Sequence, residues 1–568
     1  MANEQDERFD RIVAGLTAPG GRFPVAMMDV AGISLPYVAS APQHLVALFD
    51  LCAGLYAQNE AIIDGAQRLT FATINTQASV LARAMIYKFG IKKGERIALA
   101  ARNSAAWIVA YMAILKAGGV ATLVNGFWEG AEMAAALEDV GAVLVLADGP
   151  RAARLAGDFF SESIRLICFD DSAPISEVFA TLHEGVTGEV ALPQISGGDL
   201  ATILFTSGST GQSKGAYCTH RAKVQGIFSY LIQTSTMLQY VTEEGRAPKY
   251  PPSTLMNVPL FHITGELTVF LQGLLMGRKL VMIPKWDARD AMRLIEAERI
   301  TYFTGVPLMS YEILMHPERA QFDLSSCLAF AAGGAPRPAE HVKSFHAGLP
   351  ASEPILGYGL TETNAVGAAN FGPNYSAKPG STGRAQKPLV DIVILDDTGT
   401  PLPPGERGEI GIRSIANFSG YWHNDAATRA AITPDGFFRT GDIGFLDDEN
   451  YLYIVDRKKD IIIRGGENIT SLEVEAALYA CPNVAEACVF GLPDARYGEV
   501  PGAVIYGNTN ETDVLEQIKS RLAPFKIPVK IWVSETQLPR LGTGKIDKKL
   551  LREQYRAHYA KGNDRPVR

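Results

Sequence analysis

Residues 201–215 read ATILFTSGSTGQSKG, an apolar run that passes without a break into a loop of glycines and hydroxyls ending in a lysine. The apolar run has the length and flanks of a buried strand. The loop has the composition of a phosphate cradle. Gly208, Gly211 and Gly215 let backbone amides turn toward an anion, Thr206, Ser207, Ser209 and Thr210 add hydroxyl donors, and Lys214 adds charge. It is not a Walker loop, because Lys214 follows Gly211 by three residues and the GxxxxGK[ST] spacing is absent. Taken alone, the stretch also reads as a flexible Ser/Gly turn.

Working outward, short apolar runs alternate with segments of helical spacing from about residue 60, the pattern of a parallel-rich α/β chain. RIALAA at 96–101 reads as a strand. Residues 104–117 follow as a helix with Ile108, Met112 and Leu115 on one face, stopped by Gly118 and Gly119. Further strands are expected at 143–147, 166–169 and 302–306. After residue 385 the texture changes to hairpins, VDIVIL then RGEIGIRS, which suits a small antiparallel subdomain. Near Asp456 it changes again: the charged DRKKD precedes IIIRGGENIT and a fresh helix at 471–479, so a domain boundary is placed there.

The length of 568 residues exceeds what one hydrophobic core serves, so at least two domains are expected. A net charge of -8 argues against a chain built to grip a phosphate backbone, and no nucleic-acid partner is expected. Cys52, Cys168, Cys218, Cys327, Cys481 and Cys488 are scattered without zinc spacing and read as reduced thiols. The start, MANEQDERFDR, has no basic patch followed by an apolar run, and the most apolar windows, 107–115 and 269–276, fall short of the ~20 residues of a membrane span. A cytoplasmic monomer or homodimer is expected, with peripheral membrane contact left open.

The loop TSGSTGQSKG resembles the phosphate loop of the adenylate-forming (AMP-binding) superfamily of acyl-CoA synthetases, luciferases and peptide-synthetase adenylation domains. Six further segments fall in that family's order: PLFH at 259–262, AAGGAP at 331–336, YGLTET at 358–363, RTGD at 439–442, DRKKD at 456–460 and GTGKID at 542–547. The resemblance covers roughly residues 40 to 555. It implies an α/β fold: an N-terminal extension (1–40), a large domain (41–456) of two mixed or parallel sheets with a barrel-like antiparallel subdomain (385–456), and a small mobile α+β domain (457–568) hinged near Lys459.

The resemblance also assigns roles. The loop residues from Thr206 to Lys214 hold phosphates, Tyr358, Gly359 and the turn Gly334, Ala335, Pro336 frame the adenine, and Asp442 and Arg457 hold the ribose. Glu362, with Thr361, supplies oxygen to Mg2+, a hard cation that takes one or two carboxylates plus phosphate oxygens. Lys545 is the catalytic cation of adenylation, stabilising charge that builds on the α-phosphate. Lys459 is the pivot that carries Lys545 away and brings Gly465, Gly466 and Glu467 to a coenzyme A channel, with Tyr497 against its adenine. Alone, each of these charged residues would read as an ordinary surface or turn residue.

His262 bears on the acid. Amino-acid-activating relatives carry an Asp there, and a neutral imidazole cannot pair an ammonium as a carboxylate would. Phe261, His262, Gly333 and Gly359 are expected around the acyl pocket, with the apolar segment 263–277. The activity implied is ATP-dependent activation of a hydrophobic acid, first a medium- or long-chain fatty acid, to acyl-AMP with release of pyrophosphate, then transfer to CoA. Aryl or arylpropenoic acids, and an acceptor other than CoA, are the alternatives.

Overall fold

A computed structural model describes residues 2–157, 159–186, 190–206, 213–335, 337–349, 352–542 and 544–560. Ser207, Gly208, Ser209, Thr210, Gly211 and Pro336 lie outside the described residues.

Two α/β sheets form the bulk of the chain. The first runs Gly420–Tyr421, Lys214–Thr219, Leu200–Thr206, Val120–Leu123, Arg96–Ala100, Ala142–Asp148, Arg165–Phe169 in spatial order, and its last five strands are parallel. The second has nine strands, with Tyr302–Gly305, Ala329–Gly333 and Glu353–Gly359 parallel at its centre. Side chains that such strands bury on both faces must be apolar, hence the unbroken runs in the sequence.

The helix Ala105–Lys116 is buried around its whole circumference, not along the single face that its spacing suggested. Its flanks explain this: Trp107 stacks on Tyr111, and both meet the edge of Phe270. A helix that is apolar on all sides is one packed between layers. Ser104 caps it, accepting from the Trp107 amide at 3.1 Å, and buried Lys116 reaches out to Asp50 at 2.7 Å.

Residues after 385 form a four-stranded antiparallel sheet, Val390–Leu395, Gly408–Ser414, Phe438–Leu446, Leu452–Arg457. Residues beyond it form a separate sheet, in which Ile462–Arg464 pairs with Glu467–Ile469 and the long hairpin Val484–Asp494, Gly498–Gly507 takes Lys530–Ser534 in parallel. The helices Ser471–Tyr479 and Lys548–Ala560 cover its central hairpin.

The N-terminal helix Ala2–Thr17 is tied to the body. Phe9 packs between Tyr240 and Phe371, and buried Asp6 accepts from Asn374 Nδ2 and Tyr451 Oη, both at 2.8 Å, while pairing with Arg384. The short helix Gly372–Ala377, the edge of the nine-stranded sheet and the antiparallel subdomain thus meet on one carboxylate of the N-terminal helix. Among the described residues no helix is long and apolar enough to cross a membrane.

Candidate active site

Most of the described residues singled out in the sequence gather where strands of both large sheets end at their carboxyl termini, the position where open α/β sheets leave a crevice for ligands. Leu200–Thr206 delivers Thr206 there. Lys214 begins the return strand in register with Thr206, whose hydroxyl faces the Lys214 carbonyl at 3.5 Å. Residues 207–213 are the connection between these two strands.

Glu353–Gly359 delivers the next group. A Cβ on Gly359 would sit 2.1 Å from the Ala365 carbonyl oxygen, so the chain can turn back on itself only with glycine here. The turn is a short 3-10 helix, Thr361–Thr363, that buries Glu362. Tyr421 Oη donates to Glu362 Oε1 at 2.8 Å, and the Lys214 ammonium lies 4.9 Å above the Tyr421 ring. Burial raises the Glu362 carboxyl above its ordinary value, while Tyr421, Arg457 and Lys214 oppose it. Tyr421 therefore joins the lysine of one loop to the carboxylate of another, and it was not among the residues expected.

Asp442 and Arg457 face one another across the antiparallel pair Phe438–Leu446 and Leu452–Arg457. Arg457 Nε lies 3.2 Å from Asp442 Oδ1, and Tyr358 Oη donates to Asp442 Oδ2 at 2.7 Å. Asp442 is buried, and that burial lifts its carboxyl above the usual range despite Arg457 and Tyr358.

The small domain reaches this cluster with one loop. Leu541 N donates to the Lys545 carbonyl and Gly544 N to the Leu541 carbonyl, both at 2.8 Å, closing a tight turn with Gly544 at φ +81°. Lys545 lies across Gly334, where a Cβ would come within 2.8 Å of its Cε and 3.0 Å of its Nζ. Gly334 itself has φ +75°. Burial, and then repulsion from Arg457, push the Lys545 ammonium down to about 8, with Asp442 partly compensating. Gly333 closes the strand before it, and its Cβ would meet the Gly357 carbonyl at 3.3 Å. Ala335 is half-buried beside it.

The segment bearing Phe261 and His262 is anchored by Asn103, which donates to the Val258 carbonyl at 2.7 Å and accepts from Leu260 N at 2.8 Å. Burial and the neighbouring Lys545 charge push His262 down to about 3, so its imidazole is neutral at physiological pH. Beyond it the π-helix Thr264–Leu271 carries Glu266, fully buried against Lys223 at 2.6 Å and accepting from Tyr111 Oη at 2.6 Å. The one acid inside that apolar run was the available signal for this pair; Lys223 carried none.

The remaining candidates stand apart. Gly465 (φ +60°) and Gly466 (φ +94°) form the turn before Glu467, and Gly465 N donates to the Tyr497 carbonyl at 2.8 Å. The Arg464 and Arg496 guanidiniums lie 4.9 and 5.0 Å from the centre of the Tyr497 ring. Among the described residues no hydrogen bond, ion pair or ring contact joins this group to the Lys545 cluster. Lys459 follows the last strand of the antiparallel sheet in a turn where the amides of Asp460 and Ile461 donate to the Arg457 carbonyl.

The AMP-binding enzyme family matches residues 49–422, and the AMP-binding enzyme C-terminal domain matches residues 473–545. The long-chain-fatty-acid–CoA ligase FadD13 of Mycobacterium tuberculosis is 33% identical over 498 residues, 86% of this chain and 94% of that protein. A feruloyl-CoA synthase of an Amycolatopsis species is 32% identical over 500 residues, 87% of this chain and 96% of its own. Among solved structures, ATP-bound MatB from Rhodopseudomonas palustris superposes with a TM-score of 0.78 at 27% identity, covering 90% of this chain and 99% of that one. The apo form of the same protein gives 0.67 at 28% identity over the same shares.

Proposed function

The chain belongs to the AMP-binding enzyme family, and from that premise we propose that it is an acid–thiol ligase that makes an acyl-CoA in two steps. In the first, a carboxylate oxygen of a hydrophobic acid attacks the α-phosphorus of ATP, and the bond to the β-phosphate oxygen breaks to release pyrophosphate. In the second, the CoA sulfur attacks the acyl carbonyl carbon and AMP leaves. The observation that carries this reading is Lys545 lying across Gly334 beside Asp442 and Arg457.

In the first step the Lys545 ammonium offsets charge building on the α-phosphate oxygens. Asp442, an acceptor when ionised, takes the ribose hydroxyls, and Arg457 fixes that carboxylate. Tyr358 and the Gly334, Ala335, Pro336 turn frame the adenine. The residues from Thr206 to Lys214, including Ser207, Gly208, Ser209, Thr210 and Gly211, hold the β- and γ-phosphates. Glu362 and Thr361 suit Mg2+: a single carboxylate beside a hydroxyl, with no cluster of three or more His, Cys, Asp or Glu among the described residues, is the donor set of an ion that completes its shell with phosphate and water. Mg2+ bound there would neutralise phosphate charge.

For the second step Lys545 must leave, since Lys545 and the Gly465, Gly466, Glu467 turn belong to the same small domain and, among the described residues, only the former approaches the nucleotide cluster. A pivot at Lys459 supplies the exchange. Tyr497 with two guanidiniums near its ring supports a CoA acceptor, because an aromatic ring and cations together fit a base and its phosphates. Neutral His262, Phe261, Gly333 and Gly359 favour an acid whose only charge is its carboxylate and whose remainder is apolar. FadD13 supports a fatty acid of medium or long chain; the feruloyl-CoA synthase supports an arylpropenoic acid as the second reading.

The test is incubation with ATP, Mg2+ and a panel of aliphatic and aromatic acids, with and without CoA, followed by mass spectrometry. AMP with acyl-CoA is expected; ADP, or no turnover of any acid, would overturn the reading.

A further inference from the structure

The connection between the strand Val120–Leu123 and the helix Gly130–Asp139 is pinned along its backbone. The Gly126 carbonyl accepts from Arg151 Nε at 3.0 Å and Arg154 Nη2 at 2.7 Å, the Trp128 carbonyl accepts from Arg154 Nη1 at 2.6 Å, and Phe127 N donates to Asn125 Oδ1 at 3.0 Å. The Trp128 ring packs edge-on against Phe205, the residue before Thr206, at 5.3 Å. A backbone fixed this firmly nonetheless holds the Phe127 side chain 56% exposed.

The ring has two neighbours that explain its placement. Its edge meets Phe261, the residue before His262, with centroids 5.9 Å apart and planes at 69°. The second neighbour is Gly542, where a Cβ would fall 2.1 Å from Phe127 Cδ2 and 2.6 Å from Cε2. Any side chain at 542 would displace the ring or the loop that meets it, so this close approach requires glycine. Gly544 continues the landing against Val306 and Met309, 3.4 and 3.6 Å from its would-be Cβ.

We propose that Phe127 is a positioning residue for acyl-adenylate formation: its ring is the seat on which the loop 541–545 lands, so that Lys545 arrives across Gly334. The inference rests on the two-step reading above. Phe127 touches the loop only while the small domain presents Lys545, so it serves the first step and not the second. Through Phe261 the same ring borders the acyl site, which makes seating of the loop responsive to the residues that hold the acid.

The test separates the half-reactions. Pyrophosphate release from ATP and acid reports the first; conversion of supplied acyl-adenylate and CoA to acyl-CoA reports the second. Phe127→Ala is expected to lower kcat/KM of the first by about tenfold to hundredfold, the scale of a catalytic group misplaced by about 1 Å, with the second unchanged and Phe127→Leu intermediate. Gly542→Ala, which acts from the other side of the contact, is expected to reproduce the split. Equal loss in both half-reactions, or undiminished pyrophosphate release by Phe127→Ala, would overturn the proposal while leaving the two-step reading intact. Failure of the wild-type protein to form acyl-adenylate from any acid would overturn both.

Discussion

Raising the pH through about 8 is expected to switch off acyl-adenylate formation by discharging Lys545. Burial and the Arg457 guanidinium disfavour the ammonium and bring it down to about 8, so the charged form is present below that value and lost above it. A group of this kind is about nine-tenths charged one unit below its midpoint and about one-tenth charged one unit above. The kcat/KM for ATP, which reports the free enzyme, should therefore fall about tenfold between roughly pH 7 and pH 9. The floor of the decline is set by what the cation contributes, ~3–4 kcal/mol for a preorganised contact to a developing oxyanion, so Lys545→Ala should lie hundreds-fold below wild type at pH 7 and show no decline. Lys545→Arg keeps its charge throughout and should give a weaker but level profile. The assay is initial-rate pyrophosphate release without CoA across this range. A wild-type profile that stays level past pH 9, or a decline with the same midpoint in Lys545→Arg, would refute the reasoning.

Other expectations rest on independent parts of the molecule. Asp442→Ala should raise the KM for ATP about tenfold or more, the cost of a hydrogen bond to a charged group, with less effect on kcat, as measured by pyrophosphate release at varied ATP. Lys223→Met alone should destabilise by about 3–5 kcal/mol, because it strands the Glu266 carboxylate in the core, whereas Lys223→Met with Glu266→Leu and Tyr111→Phe should recover most of that loss in denaturant titrations. His220 accepts from Leu45 N through Nδ1 and burial pushes it down to about 3, so the folded protein excludes a proton that the unfolded chain takes up below about 6.5. Stability should fall on acidification through that window, by up to about 1.4 kcal/mol per pH unit from this group; His220→Gln should flatten the slope of unfolding free energy against pH.

The parts of the site legible in the sequence were those whose chemistry is local. The strand and glycine-rich loop at 201–215, Glu362 in YGLTET and Lys545 after Gly542 and Gly544 each have an ordinary structural reading alone, and they stood out as candidates because their segments fall together in one family's order. The buried helix Ala105–Lys116 was visible as a helix, but its full enclosure was not, because periodicity reports a face only when one side meets solvent. Partnerships between distant segments left little trace. Tyr421 reaches Glu362 from 59 residues away, and nothing in the sequence around it marks the phenol as a buried donor. Asp6 is one of several acids in the charged stretch MANEQDERFDR, yet it accepts from Tyr451, 445 residues on. Phe127 was not singled out in the sequence, and its meaning depends on Gly542, more than four hundred residues on, arriving against its ring.

The central claim, that the acid is joined to AMP before any thiol arrives, is tested most directly with an acid carrying 18O in both carboxylate oxygens. After complete reaction with ATP and CoA, the account predicts AMP bearing one labelled oxygen on its phosphate and acyl-CoA retaining the other. Unlabelled AMP, or the label in pyrophosphate or phosphate, would contradict it.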